Sequence, residues 1–134
     1  MRECGMLLPV ASLPSRYGIG AFSKEAYDFI DTLKAAGQSC WQILPLGPTG
    51  FGDSPYQSFS AFAGNPYFID LEKLTEEGLL TREECLDTDF GSDERDIDYK
   101  KIYDGRFPLL RKAYERWKEG RTPELVHELA GRKL

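Results

Sequence analysis

Residues 41–65 read WQILPLGPTGFGDSPYQSFSAFAGN. The stretch opens inside a short apolar run, Cys40 to Leu44, that stops at Pro45. From Gly47 to Asn65 it becomes rich in Gly, Ser, Pro and aromatic residues, with little helical or strand periodicity. A short apolar run stopped by proline reads as a buried parallel strand. A structureless loop of this length inside a compact domain is uncommon and tends to be functional. The same pattern occurs earlier, where Met6-Leu7-Leu8 ends at Pro9. Two buried parallel strands are therefore predicted, each with a loop at its carboxyl end, which is where parallel α/β proteins bind ligands. Cys4 and Cys40 precede their Leu-Pro ends by the same number of residues, so this register sets the two thiols at similar heights on adjacent strands.

A helix is predicted between the strands. Ser23 is a natural N-cap, and Phe22 with Tyr27 fits a hydrophobic staple. Ala26, Phe29, Ile30 and Leu33 form one apolar face, and Gly37 suits the left-handed position that ends a helix. Strand, helix and strand make a right-handed βαβ unit. Downstream, Leu71 to Leu80 reads as a short helix ending near Gly78, and Thr81 with Glu84 as a capping box. Asp98 to Glu119 carries Tyr103, Phe107, Leu110, Tyr114 and Trp117 at spacings that keep one helical face. Pro108 within it is expected to kink or divide the helix. Thr122 and Pro123 then start a last helix.

The chain has 134 residues, of which 41% are hydrophobic and 29% charged, the balance of one globular domain with a small core. A net charge of -5 supplies no basic stripe for nucleic acid or an anionic membrane, whereas a neutral ligand is compatible with it. Three cysteines without close pairing read as reduced thiols. The single histidine, His127, is assigned to the surface. No metal-ligand spacing occurs, neither metal nor cofactor is expected, and the absence of a long apolar stretch makes the cytoplasm the default location.

The chemistry concentrates in the loop. Aromatic rings offer apolar faces on which a ligand can stack, while carboxylates and amides bond its polar edges. Phe51, Tyr56, Phe59 and Phe62 are available for the first task, and Asp53, Ser54, Gln57 and Asn65 for the second. Each has a structural alternative. Phe59 and Phe62 are expected to plug the core beneath the loop, Asp53 sits in turn-forming Gly-Asp-Ser-Pro, and Asn65 before Pro66 is expected to be structural. Ser12 and Leu13 are also assigned structural roles, close to the same cleft. Tyr56 is the residue for which a functional role is favoured.

PLGPTGFGDSPYQSFSAFAGNPYFIDL, residues 45–71, resembles the signature of glycoside hydrolase family 77, the 4-alpha-glucanotransferases. GMLLPVASLPSRYGIGAF, residues 5–22, resembles the first strand and loop of that family, and WQILPLGPTG, residues 41–50, its second strand. The resemblance is dense to about Leu80 and weaker beyond. It implies an α/β fold, the N-terminal part of a (β/α)8 barrel, with residues 1–80 as the first two β/α units and 81–134 as an incomplete helical insertion. It implies a retaining transfer of α-1,4-glucan between maltodextrins, without cofactor. Retention needs two carboxyl groups about 5–5.5 Å apart. In the family these lie on later strands, so no catalytic residue is expected in this chain. The resemblance puts Tyr56 against the donor sugar, with Asp53, Ser54 and Gln57 beside it, and Phe51 with Tyr103 at a remote glucan groove. A non-catalytic glucan-binding or interaction module is the alternative.

Overall fold

The computed structural model describes residues 2–50 and 52–120. Strand β1 is Gly5–Leu7, helix α1 is Lys24–Ala35, and strand β2 is Cys40–Gln42. Among the described residues three helices follow: α2 (Leu71–Glu76), α3 (Arg82–Leu86) and α4 (Tyr99–Glu119). Single 3-10 turns at Val10–Ser12 and Pro66–Phe68 lie in the connections. The expected helix at Thr122 and Pro123, and His127, lie outside the described residues.

β1 and β2 pair in parallel, as their sequence predicts, but one residue out of the expected register. Gly5, not Cys4, stands opposite Cys40. A Cβ on residue 5 would sit 2.7 Å from the Cys40 carbonyl oxygen, so the glycine is needed at that position. The Cys4 carbonyl instead accepts the Ser39 N–H at 2.9 Å and the Ser39 hydroxyl at 3.1 Å. Alternation along a strand then turns the Cys4 and Cys40 side chains to opposite faces. Both thiols are free and exposed, whereas Cys85 is buried. The strands are also less buried than expected: Met6 is 48% and Leu7 55% exposed. Among the described residues no third strand flanks the pair, and the covering on one side comes from Phe29 of α1, edge-on to Trp41 at 5.1 Å.

α1 buries Ala26 and Leu33 and leaves Ile30 exposed. Its carboxyl end is a Schellman motif: Gly37 takes φ +73, its N–H bonds Lys34 O, and Gln38 N–H bonds Leu33 O. The amino-terminal staple does not form. Tyr27 is exposed, and Phe22 packs edge-on against Phe68 at 6.1 Å instead. Ser23 occupies the N-cap position, but its hydroxyl donates to Glu25 rather than accepting from the helix.

Two apolar cores result among the described residues. Val10, Leu13 and Ala26 form one beneath the strand ends, with Trp41 and Leu46. Tyr17, Tyr67, Leu71, Leu80, Phe90, Ile102 and Leu109 belong to the other, among the helices. Phe68 packs against both. α2 stops at Glu76 before Gly78 at φ +76, and Thr81 with Glu84 closes the capping box on α3. Glu84 also receives both Arg116 terminal nitrogens at 2.8 Å and Lys112 at 2.9 Å, and the first of these contacts is the main reason its carboxyl is held far below the usual range.

α4 runs unbroken through the exposed Pro108, so the helix is not divided. Its buried positions are Ile102, Arg106, Leu109 and Ala113. That is the predicted spacing shifted by one residue, or about 100° around the helix. Tyr103, Phe107 and Tyr114 are left exposed. Gly105 accounts for the rotation, because a Cβ there would lie 2.7 Å from Thr88 Cγ2 and 3.0 Å from the Phe90 ring. The helix therefore comes closest to its neighbours along the stripe next to Gly105. Arg106 lies fully inside, donates from Nη1 to Ile69 O at 2.9 Å, and faces the Phe90 ring at 6.0 Å.

Candidate functional site

The carboxyl ends of both strands open into one cavity of about 180 Å³. Pro9 to Ser12, following β1, form one wall, and Leu44 to Gly47, following β2, form another. Thr49, Asp53 and Pro55 enter from the long loop, Asn65 and Phe68 from its far end, and Ile97 and Tyr99 from the start of α4.

The loop is pinched at its base. Asn65 N–H donates to Leu46 O at 2.8 Å, so the chain leaves and returns at one point. Inside it, Thr49 and Ser58 form an antiparallel bridge. Gly52 at φ +88 and Asp53 at φ +54 reverse the chain, and Asp53 N–H bonds Gly50 O at 3.2 Å. Left-handed backbone favours glycine, and aspartate is one of the few other residues that enter it readily. The Thr49 hydroxyl donates to Asp53 Oδ1 at 3.2 Å, tying the carboxylate to the loop's first limb. Ser54 shapes the next turn: its hydroxyl accepts from Tyr56 N at 3.4 Å, and its carbonyl accepts from Gln57 N at 3.1 Å.

The four loop residues singled out in the sequence divide here. Asp53 lines the cavity, whereas Ser54, Tyr56 and Gln57 do not. Tyr56 is 73% exposed, on the outside of the loop. Phe59 and Phe62 were expected to plug the core and do not, being 78% and 88% exposed. Phe68 packs against both cores instead, and Asn65 is only 8% exposed and accepts the Tyr67 N–H on its side-chain oxygen at 2.9 Å. Tyr103 is 58% exposed and lies against Phe107 at 4.8 Å. Phe51 lies outside the described residues, so its pairing with Tyr103 does too.

Thr49 and Tyr99 were not singled out in the sequence. Tyr99 lies one helical turn before Tyr103, and that i, i+4 spacing was its available signal. Its ring is tilted over Tyr67 at 6.4 Å, and Phe107 meets Tyr67 edge-on at 5.9 Å. Burial, and then the negative charge of Asp53, push the Tyr99 hydroxyl above its usual range. The same two causes lead for Tyr67. Both phenols therefore remain neutral hydrogen-bonding groups at physiological pH.

Residues 8–130 match the family model described as 4-alpha-glucanotransferase, glycoside hydrolase family 77. The 4-alpha-glucanotransferase of Streptococcus pneumoniae is 57% identical over 118 residues, which are 88% of this chain and 23% of the relative. That of Thermus thermophilus is 50% identical over 123 residues, covering 92% of this chain and 24% of the relative. Among solved structures, an amylomaltase from Streptococcus agalactiae in complex with acarbose superposes with a TM-score of 0.89 at 42% identity, covering 97% of this chain and 26% of that one. The chain thus spans about a quarter of the length of the relatives it matches. With nearly all its residues inside the family model, and with the loop and strand ends that first suggested the resemblance, the chain belongs to glycoside hydrolase family 77, the 4-alpha-glucanotransferases.

Proposed function

We propose that the chain is the amino-terminal quarter of a cytoplasmic 4-alpha-glucanotransferase, the part that contributes a sugar-binding loop to a (β/α)8 barrel. The observation that carries this reading is the loop of residues 47–65, standing at the carboxyl ends of two parallel strands within a chain of this family. In a parallel barrel that face holds the active site. The whole enzyme would pass α-1,4-glucan between maltodextrins with retention, using two carboxyl groups on later strands. This segment would bind and orient: Tyr56 stacks on the donor sugar, Asp53, Ser54 and Gln57 shape the loop or meet hydroxyls, and Phe51 with Tyr103 holds glucan at a distance. Positioning the anomeric carbon for attack is the contribution such residues make to rate.

Residues 1–80 act as the first two β/α units and 81–134 as an insertion, helical over its described part. The test is a chimera in which this chain replaces the matching segment of the Streptococcus pneumoniae relative. With maltotriose the chimera is expected to release glucose and longer maltodextrins, and the chain alone is expected to release neither. A folded but inactive chimera, or an active isolated chain, contradicts the proposal.

A further inference from the structure

We propose that Tyr99 of α4, Asp53 of the loop and Asn65 at the loop's base together hold one sugar unit in the strand-end cavity, which makes the helical segment part of the binding site. This rests on the glucan reading above and joins Tyr99, which the loop sequence alone does not reveal, to Asp53 and Asn65 of the same site.

The first support is hydrogen-bonding capacity left unused at the cavity. Asn65 is 8% exposed and uses its side-chain oxygen on Tyr67 N. Its amide NH2 makes no hydrogen bond to another described residue. Asp53 uses Oδ1 on the Thr49 hydroxyl, and its Oδ2 has no partner among the described residues. Tyr99 is half-buried, and its hydroxyl has none among them either. One pure donor, one pure acceptor and one hydroxyl that does both therefore border a single cavity. A neutral polyol matches that set, whereas an anion would meet the Asp53 carboxylate.

The second support is shape. About 180 Å³ falls below the roughly 300–1,000 Å³ of sites that enclose a drug-sized ligand, so the cavity takes one unit of a longer chain. Val10, Ile19 and Phe68 give it an apolar floor. The third support is rigidity. Asp53 is fixed by its left-handed turn and by Thr49, Asn65 by Leu46 and Tyr67, and Tyr99 by the Tyr67 ring. Groups ordered before the ligand arrives lower the entropic cost of binding.

The experiment uses the ¹⁵N-labelled chain titrated with maltotriose and followed by amide chemical shifts. Saturable shifts are expected at Thr49, Asp53, Asn65 and Tyr99. Tyr99→Phe keeps the ring and removes the hydroxyl, and Asp53→Asn keeps a residue that tolerates left-handed backbone. Each should weaken binding roughly threefold to tenfold, as for loss of one hydrogen bond, with the rest of the spectrum unchanged. Glucose 1-phosphate, tested in parallel, should bind more weakly than maltotriose. Shifts confined to Ser54, Tyr56 and Gln57, or variants that bind like the parent, would overturn this assignment while leaving the glucan reading intact. No shift anywhere at millimolar sugar would likewise overturn this assignment, while the glucan reading stands or falls with the chimera.

Discussion

Replacing Ile102 by alanine should destabilise the chain far more than replacing its neighbour Tyr103, although the sequence pattern favours the aromatic residue as the core position. Ile102 has no exposed surface and packs within the helical core. Truncating such a side chain costs about 2–5 kcal/mol, from lost transfer energy plus the cavity left behind. Tyr103 is 58% exposed, and its recorded ring contact is with Phe107 at 4.8 Å. An aromatic pair is worth about 0.5–1.5 kcal/mol, so Tyr103→Ala should cost about 1. Both substitutions gain similar helix propensity from alanine, and that gain cancels in the comparison. For a chain of this size each kcal/mol moves the Tm by about 4 °C. Thermal unfolding followed by circular dichroism should therefore show a fall of roughly 8–20 °C for Ile102→Ala and about 4 °C for Tyr103→Ala. Leu109→Ala against Leu110→Ala repeats the comparison with identical side chains, and Leu109, 5% exposed, should be the costlier loss. If Tyr103→Ala and Leu110→Ala were the more damaging of each pair, the rotation of α4 attributed to Gly105 would be wrong.

Acid should weaken the contact between α3 and α4. The folded-state pKa of Glu84 is depressed, first by Arg116, so its contribution is present above the ordinary carboxylate pKa of about 4.3 and is lost as pH falls through and below it; Glu84→Gln should flatten the dependence of stability on pH in that acid range. Native protein should expose two thiols to a colorimetric thiol reagent, Cys4 and Cys40, and a third, Cys85, only after unfolding; slow native reaction of Cys4 or Cys40 would contradict their exposure. In the chimera, Tyr56→Ala should lower kcat/KM on maltotriose more than tenfold, a loss of at least about 1.4 kcal/mol of transition-state stabilisation. Phe51→Ala should spare maltotriose and affect long glucans, and equal effects of the two substitutions on maltotriose would erase the distinction between them.

Much of the local structure was legible because short-range chemistry dictates it. Ser23 and Gly37 bound α1, Thr81 and Glu84 cap α3, and proline marks the end of each strand run. What the sequence concealed depends on contacts between distant residues. The strand register turned on the fit of Gly5 against Cys40, and the face of α4 on Gly105 against Thr88 and Phe90. A period can be read from spacing, but its phase is set by where the closest approach occurs. The same limit applied in the loop. Composition marked it as a functional loop, yet Tyr99 reaches the cavity beside it from a segment more than thirty residues away.

The bond from Asn65 to Leu46 gives the loop a narrow neck. Once the neck is closed, the residues within it scarcely influence the two cores. Doubling the length of a closed loop adds only about 0.6 kcal/mol of entropy. The neck thus separates a frame that carries the folding energy from a loop that adds little to it. The sequence of residues 47–64, which resembles the family signature, therefore answers to what the loop binds and not to the packing of the two cores.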